Sequence, residues 1–306
     1  TGSMIGKRTK IRNVLKLKKP HKKFKKFNQT SEFESFSENI VNQHLVGKVK
    51  IGIALSSGAD SRYLLYLINK NKKLSKNLTA FTFAFENFEN EIKSAKIICK
   101  KLKIKHSIIY LKKKELLNDF KKLIRFNEFP IGGLPQIAMF KLCKKAREKG
   151  IKVLIGGYGA DEHFGSYKTF LLKNVKDNQL IDGRVFDNKN FLKDTNQNKT
   201  HQNKIIKQNF YEKKISYFLN LKIPRTSLMC DRFSMSNSVE FRNPFLDRRI
   251  YNFVNQSKYE YMKTENKYPI INILKSKGLF NNSYKKNYIQ SPQNEYMKSK
   301  KIIKIL

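Results

Sequence analysis

Acidic residues are scarce in this chain of 306 residues, because 24 Asp and Glu face 64 Lys and Arg and leave a formal net charge of +40. Cysteine is also rare, and Cys99, Cys143 and Cys230 lie far apart. This odd, widely spaced set argues against a disulfide framework and a zinc ligand set, and it favours a reducing, cytoplasmic location. No apolar run reaches the roughly 18 residues of a membrane span, so we expect no transmembrane segment.

The excess of positive charge is densest near the N-terminus, where residues 7–26 contain many Lys and Arg but no Asp or Glu. Such a run repels itself, so we expect residues 1–28 to form a basic, disordered tail. Nucleic acid, an anionic membrane surface or an acidic carrier partner could bind it, and a solvated tail is the alternative. Residues 1–3 precede Met4 and are interpreted as a remnant of the expression vector.

Apolar strand-like segments alternate with helical segments along the first half of the chain, which predicts an α/β fold with a Rossmann-like parallel sheet. The polar stretch that follows has no periodicity, and the rest is mostly helical by pattern. The expected division is an α/β core at 29–171, a flexible insertion at 172–208 and a helical C-terminal part at 209–306. The predicted strands lie at 49–55, 78–85, 107–111 and 152–155.

A turn rich in small and hydroxyl residues follows the first predicted strand. Its sequence from Ser56 to Ser61 is Ser-Ser-Gly-Ala-Asp-Ser, and a helix follows. Small residues allow backbone N–H groups to approach phosphate oxygens, and a helix N-terminus adds partial positive charge. Asp60 supplies a carboxylate of the kind that phosphate-bound Mg²⁺ prefers. The turn therefore indicates a polyphosphate site, and a simple turn with Asp60 as a helix cap is the alternative.

A second glycine-rich turn, from Gly156 to Glu162, follows the strand predicted at 152–155 and carries Asp161. The carboxyl ends of parallel strands meet at one edge of a sheet, where open α/β sheets bind ligands. We therefore expect both turns to contribute to one site. A helix cap is the alternative role for Asp161.

A third segment runs from Ser234 to Asp247, ends in Pro244-Phe245-Leu246-Asp247, and completes a recognisable set. In this order, the three segments resemble the synthetase domain of the asparagine synthetase family, which includes the β-lactam synthetases. The first turn resembles the PP-loop of ATP pyrophosphatases, although Ser57 replaces a glycine of that motif. The resemblance covers residues 31–292 and implies a PP-loop fold that uses ATP and Mg²⁺.

The resemblance also implies roles for particular residues. Asp60 and Asp161 correspond to the metal ligands. The positions expected to contact ATP through the adenine or the phosphates are Leu55, Ser56, Ser57, Gly58, Asp60, Ser61, Phe83 and Gly157.

Three further positions are predicted to be catalytic. Tyr158 resembles the tyrosine of β-lactam synthetases, which pairs with a glutamate to deprotonate an amine, and Glu240 is the expected partner. The alternative is that Tyr158 lines the pocket while Glu240 pairs with a nearby arginine. Lys286, six residues before Pro292, resembles a catalytic lysine that stabilises charge on the α-phosphate. Lys267 resembles a further family lysine.

The implied function is that of an AMP-forming amide ligase, which activates a carboxylate as an acyl-adenylate and transfers it to ammonia or a substrate amine. The printed sequence contains no glutaminase domain, so a separate glutaminase is an expected partner, beside a small carboxylate substrate. The alternative is a PP-loop enzyme that adenylates a tRNA base, for which the charge of +40 would be useful.

Overall fold

The computed structural model describes residues 30–86, 90–127, 134–164, 223–256 and 267–280. The predicted basic tail, the predicted insertion at 172–208 and Lys286 lie outside these ranges. The elements of the N-terminal half are α1 Thr30–His44, β1 Ile51–Ala54, α2 Ala59–Lys70, α3 Lys72–Ser75, β2 Thr79–Phe85, α4 Asn90–Leu102, β3 Lys105–Leu111, α5 Lys113–Asn127, α6 Leu134–Glu148, β4 Val153–Ile155 and α7 Ala160–Phe164. The remaining ones are α8 Ile223–Met235, β5 Glu240–Arg242, a short 3₁₀ turn Pro244–Leu246, α9 Arg248–Gln256 and α10 Tyr268–Ser276.

The five strands form one sheet in the order β3-β2-β1-β4-β5, and all neighbouring strands are parallel. Strand β1 is central, with Ala54 opposite Phe81 of β2 and Ile53 opposite Ile155 of β4. The predicted α/β fold class with a Rossmann-like parallel sheet is confirmed. The first four strands lie within two residues of the predicted bounds.

Helices cover both faces of the sheet, which explains why the inner strands β1, β2 and β4 are apolar almost throughout. One buried cluster joins alternate strand residues to α1, α2, α4, α9 and α10, with Phe33, Leu64 and Ile270 near its centre. The other joins the opposite strand residues to α5, α6 and α8, through residues such as Phe140 and Phe233. The apolar pattern fixes how the strands align with one another, because a shift of one residue would move each strand's side chains to the opposite face of the sheet.

Gly52 in the middle of β1 is required by close packing across the sheet. A Cβ atom built there would lie 2.8 Å from the Phe81 ring and 3.1 Å from a methyl group of Leu154. The absence of a side chain therefore lets residues of β2 and β4 close over the central strand. This packing fixes the strand that leads into the first turn.

Strand β5 was not expected, since the C-terminal part was predicted to be helical. It pairs with β4 through Leu154 opposite Phe241, and Val239 just before it is fully buried. Only three residues long, it has too little periodicity to stand out in the sequence. The proposed domain boundaries stay a prediction, but β5 joins the region 209–306 to the sheet. Among the described residues, no helix combines the length and apolar character that crossing a membrane requires.

Candidate active site

The first turn is organised by its own serines. The Ser61 hydroxyl donates to the carbonyl of Ser56 at 3.2 Å and accepts from the Ser56 backbone N–H at 3.0 Å. The Ser56 hydroxyl accepts from the backbone N–H of Gly58 at 3.2 Å and lies 3.0 Å from the Ser61 hydroxyl. These bonds close the turn into a compact loop at the N-terminus of α2.

This loop fits the phosphate site predicted from the sequence. Ser57 is only 9% exposed, and its hydroxyl has no hydrogen-bond partner among the described residues. A buried hydroxyl without a protein partner is costly, and a phosphate oxygen would satisfy it. Gly58 is the N-cap of α2, and its position provides no side-chain hydrogen bond to the first turn of the helix. The first-turn N–H groups of such a helix attract anions.

The two predicted metal ligands converge on one ammonium group. Lys267 Nζ lies 2.5 Å from Asp60 Oδ2 and 2.7 Å from Asp161 Oδ1. The two aspartates come from separate turns, one after β1 and one after β4, and they are 101 positions apart in the sequence. The structure therefore brings both carboxylates to a single cation, as the paired turns predicted.

Lys267 itself is buried, with 6% of its side chain exposed. Burial opposes its protonation, but the charges of Asp60 and Asp161 and their hydrogen bonds outweigh this effect and raise its pKa above the ordinary value. Its backbone is left-handed, with φ 62° and ψ 34°, at the N-cap of α10. The sequence linked Lys267 to a family position but gave no sign that it would lie between the two aspartates.

The donor set here suits Mg²⁺. This ion usually takes one or two carboxylates and completes its octahedral shell with phosphate oxygens and water. Two carboxylates that already contact one cation provide such a pair. Within the described ranges, no group of three or more His, Cys, Asp and Glu is placed to hold a metal alone. Phosphate oxygens and water could complete the shell around these two carboxylates.

The three positions predicted to surround adenine lie on neighbouring strands. The register places Leu55 after β1 level with Gly157 after β4, and Phe83 of β2 lies one residue further along. A Cβ atom at Gly157 would lie 3.3 Å from Asp60 Cβ, so the two turns are in contact there. A side chain at this position would require Asp60 to shift by a few tenths of an ångström. Phe83 is partly buried against the core around α5 and α6.

A hydrogen-bonded chain holds the Leu55 peptide from β2 and β3. The Leu55 N–H donates to the Phe81 carbonyl at 2.8 Å, and the Leu55 carbonyl accepts from the Thr82 hydroxyl at 2.9 Å. Nε2 of His106 lies 2.9 Å from the same hydroxyl. Since Thr82 donates its only proton to Leu55, His106 must donate to Thr82. This support for the turn was not predicted from the sequence.

Tyr158 is partly buried beside β5, and its ring centre lies 5.9 Å from that of Phe241. Its hydroxyl lies beside the thiol of Cys230 on α8. Burial, together with the nearby Cys230 and Cys143 thiols, raises the pKa of Tyr158 well above its ordinary value. Tyr158 is therefore a neutral phenol near neutral pH in this environment.

The structure does not bring Glu240 to Tyr158. Phe241 packs against Tyr158, and adjacent residues of a strand point to opposite faces, so Glu240 faces away from it. The Glu240 carboxylate is exposed and binds Arg242, whose Nε lies 2.8 Å from Oε1. This is the ion pair that the sequence left open as the alternative, and the catalytic roles of Tyr158 and Glu240 stay predictions. Lys286 lies outside the described residues, and its catalytic role stays a prediction.

A parallel α/β sheet whose central strand leads into a serine-rich phosphate turn, with a second acidic turn beside it, defines the class of ATP-utilising PP-loop proteins. Within that class, the chain belongs to the asparagine synthase family. The model of the family described as Asparagine synthase matches residues 32–276. The resemblance inferred from the three motifs is thereby confirmed.

Curated relatives include proteins named as asparagine synthetases. The chain is 23% identical over 279 residues to asparagine synthetase [glutamine-hydrolyzing] 1 of Bacillus subtilis (strain 168), which covers 74% of the chain and 43% of the relative. It is 26% identical over 262 residues to putative asparagine synthetase [glutamine-hydrolyzing] 1 of Methanocaldococcus jannaschii, covering 83% and 41%. The chain thus spans less than half the length of these relatives.

Two solved structures are also similar. The U34-tRNA thiolase NcsA from Methanococcus maripaludis has 16% identity and a TM-score of 0.35, covering 68% of this chain and 79% of that one. The NH3-dependent NAD synthetase from Campylobacter jejuni has 16% identity and a TM-score of 0.33, covering 69% and 96%.

Proposed function

We propose that the chain is an AMP-forming amide ligase. In this reaction a substrate carboxylate attacks the α-phosphorus of ATP, pyrophosphate leaves, and ammonia or a substrate amine then displaces AMP from the acyl-adenylate. The observation that carries the proposal is the convergence of Asp60 and Asp161 on one cation, at 2.5 and 2.7 Å, beside a serine-rich phosphate turn. Membership of the asparagine synthase family supports the same chemistry.

The first turn has the groups needed to hold the phosphates. The Ser57 hydroxyl and the N-terminus of α2 provide donors and partial positive charge for phosphate oxygens. Asp60 and Asp161 would hold Mg²⁺, which when bound neutralises phosphate charge and orients the leaving pyrophosphate. Backbone groups at Leu55, Phe83 and Gly157 would contact the adenine, which leaves the carboxyl edge of β4 and β5 for the acid.

The second half of the reaction needs a nitrogen nucleophile. A neutral Tyr158 can orient that nucleophile by hydrogen bonding, but its raised pKa makes it a poor base near neutral pH. The carboxylate of Glu240 is engaged by Arg242 on the other face of β5. We therefore assign Tyr158 an orienting role and leave Glu240 out of the proposed machinery. Lys286 is retained as the proposed stabiliser of charge on the α-phosphate.

The nitrogen source and the partners belong to the same proposal. The relatives are named as glutamine-hydrolyzing enzymes, so a separate glutaminase could supply ammonia to this chain. The basic tail would bind an acidic carrier or nucleic acid. A cytoplasmic location stays a prediction from cysteine usage.

Pyrophosphate release tests the proposal directly. The protein is incubated with Mg·ATP and a panel of small carboxylic acids and amines, with and without bulk tRNA. We expect release that requires an acid and falls by at least about 10²-fold in Asp60→Asn and Asp161→Asn, since each loses a charge at the reacting phosphates. The matched control is Glu148→Gln, whose carboxylate pairs with Lys145 on the surface.

The possible outcomes separate three functions. Acid-dependent release without tRNA supports the amide ligase. Release that requires tRNA supports adenylation of a tRNA base instead. No release under any condition, from folded protein, indicates a nucleotide-binding scaffold without catalytic activity.

A further inference from the structure

Lys267 lies at the position where the proposed function needs a metal ion. Its ammonium contacts Asp60 Oδ2 and Asp161 Oδ1 at 2.5 and 2.7 Å, and the lysine is almost completely buried. Cation and carboxylates come from three distant parts of the chain, after β1, after β4 and at the start of α10. The contact is therefore built by the tertiary structure rather than by local sequence.

We propose that the Lys267 ammonium is the resident counter-ion of Asp60 and Asp161 in the nucleotide-free protein, and that it excludes Mg²⁺ until nucleotide phosphates draw it away. Metal loading of the site is then conditional on nucleotide binding. The inference rests on the metal site of the proposed function, but it concerns the order of binding and not the acid that is activated.

The charges at the site support mutual exclusion. Two carboxylates and one ammonium leave a net charge of −1, whereas the same carboxylates without the ammonium offer −2 to a divalent ion. A divalent ion that contacts the same oxygens would lie within a few ångströms of the ammonium and be repelled by it. Mg²⁺ also loses its water reluctantly, so a half-neutralised pair of ligands is a weak site for it.

A triphosphate can reverse this balance. It brings anionic oxygens next to Asp60, since the phosphate turn and Asp60 belong to the same loop. Those oxygens can accept the ammonium and at the same time complete the shell of the metal. The lysine then changes partner from carboxylates to phosphate, and both positive charges remain neutralised.

The backbone of Lys267 gives independent support for a residue held by its contacts. Its φ of 62° and ψ of 34° lie in the left-handed region, which residues other than glycine, asparagine and aspartate seldom adopt. Such a conformation costs free energy and persists only where surrounding contacts hold it. In Lys267 those contacts include the two aspartates, so losing them would also permit the start of α10 to relax.

Binding of Mn²⁺ in the absence of nucleotide tests the proposal, followed by electron paramagnetic resonance and by competition with Mg²⁺. The key variant is Lys267→Met, which keeps an unbranched side chain and removes the charge. We expect wild-type protein to show no Asp60-dependent Mn²⁺ binding over the titrated range, so that its dissociation constant exceeds that of Lys267→Met by at least about tenfold. Mn²⁺ should also raise the Tm of the variant but not of wild type.

Two further variants define the site. The double variant Lys267→Met with Asp60→Asn should lose the new binding, which shows that the ion contacts Asp60. Lys277→Met is the matched control, because Lys277 is an exposed lysine at the end of the same helix, and it should behave like wild type.

Several results would overturn the proposal. One is nucleotide-free Mn²⁺ binding by wild type that Asp60→Asn abolishes, and another is a folded Lys267→Met protein whose Mn²⁺ affinity is unchanged or weaker. If Lys267→Met does not fold, the Mn²⁺ titration of wild type decides alone. Mn²⁺ binding that depends on Asp60 and is seen only with added pyrophosphate supports the proposal. None of these measurements uses an acid substrate, so their failure leaves the pyrophosphate-release test of the amide ligase intact.

Discussion

Replacing Thr82 with valine should weaken both the fold and the binding of ATP. The Thr82 hydroxyl is fully buried and donates to the Leu55 carbonyl at 2.9 Å. Valine has nearly the same shape but no donor, so the Leu55 carbonyl would remain buried without this partner. His106 Nε2 would also lose its contact, but His106 is only partly buried and can turn to water.

The expected cost follows from that one buried carbonyl. Leaving a buried acceptor unsatisfied costs about 1–3 kcal/mol. Each kcal/mol lowers Tm by roughly 2–4 °C in proteins of about 150–250 residues, so for this longer chain we expect a loss of no more than roughly 12 °C. Because Leu55 is also a proposed adenine contact, KM for ATP should rise more than kcat falls.

The assays are urea unfolding, thermal unfolding and steady-state pyrophosphate release with varied ATP. The matched control is Thr79→Val, on the same strand but at a partly exposed position. The reasoning is refuted if the two variants agree within about 0.5 kcal/mol, the usual range for surface substitutions, and share the wild-type KM for ATP.

Three further predictions concern Glu240, Tyr158 and His106. Glu240→Gln should change turnover less than about twofold and stability by under about 1 kcal/mol, because an exposed ion pair with Arg242 contributes little. A loss of turnover above about a hundredfold would instead show that Glu240 is a catalytic group. Tyr158→Phe should lower kcat less than about tenfold if the phenol only donates a hydrogen bond, whereas loss of a general base costs about 10²–10⁴-fold. Burial, aided by the charge of Lys96, lowers the pKa of His106 below its ordinary value. Protonation of His106 therefore favours the unfolded chain. The stability that the neutral His106 contributes is fully present above about pH 6.5 and is lost as the pH falls through the folded pKa. His106→Gln should therefore show a smaller drop in the free energy of unfolding between about pH 8 and pH 5 than wild type, and equal slopes would contradict the assignment.

Much of the fold could be predicted because local pattern and tertiary role agree in the first half of the chain. Strands β1 to β4 are short apolar runs followed by amphipathic helices, which is typical of parallel sheets covered on both faces. Strand β5 could not be found in this way. Its three residues, Glu240 to Arg242, include two charged side chains, and its pairing with β4 depends on α8 and Phe241 packing on the distant core.

The site was predictable where function depends on local turns. The serine and glycine residues of the first turn, and the acids of both turns, follow strands directly, so the local sequence is enough to indicate their chemistry. The partner of Tyr158 was not predictable in the same way. Which face of β5 carries Glu240 depends on the strand register, and the sequence did not reveal the strand itself.

The sequence by itself determined the class of protein, because a phosphate turn and its acid are local features that three short segments specify. Only the tertiary structure decided what lies between those acids. Lys267 reaches them because α10 packs beside α1 and α2 on one face of the sheet, and contacts between residues about 100 or 200 positions apart are set by core packing. The same packing turned Glu240 away from Tyr158 and tied Thr82 to Leu55, since the two ends of each contact belong to different strands or helices.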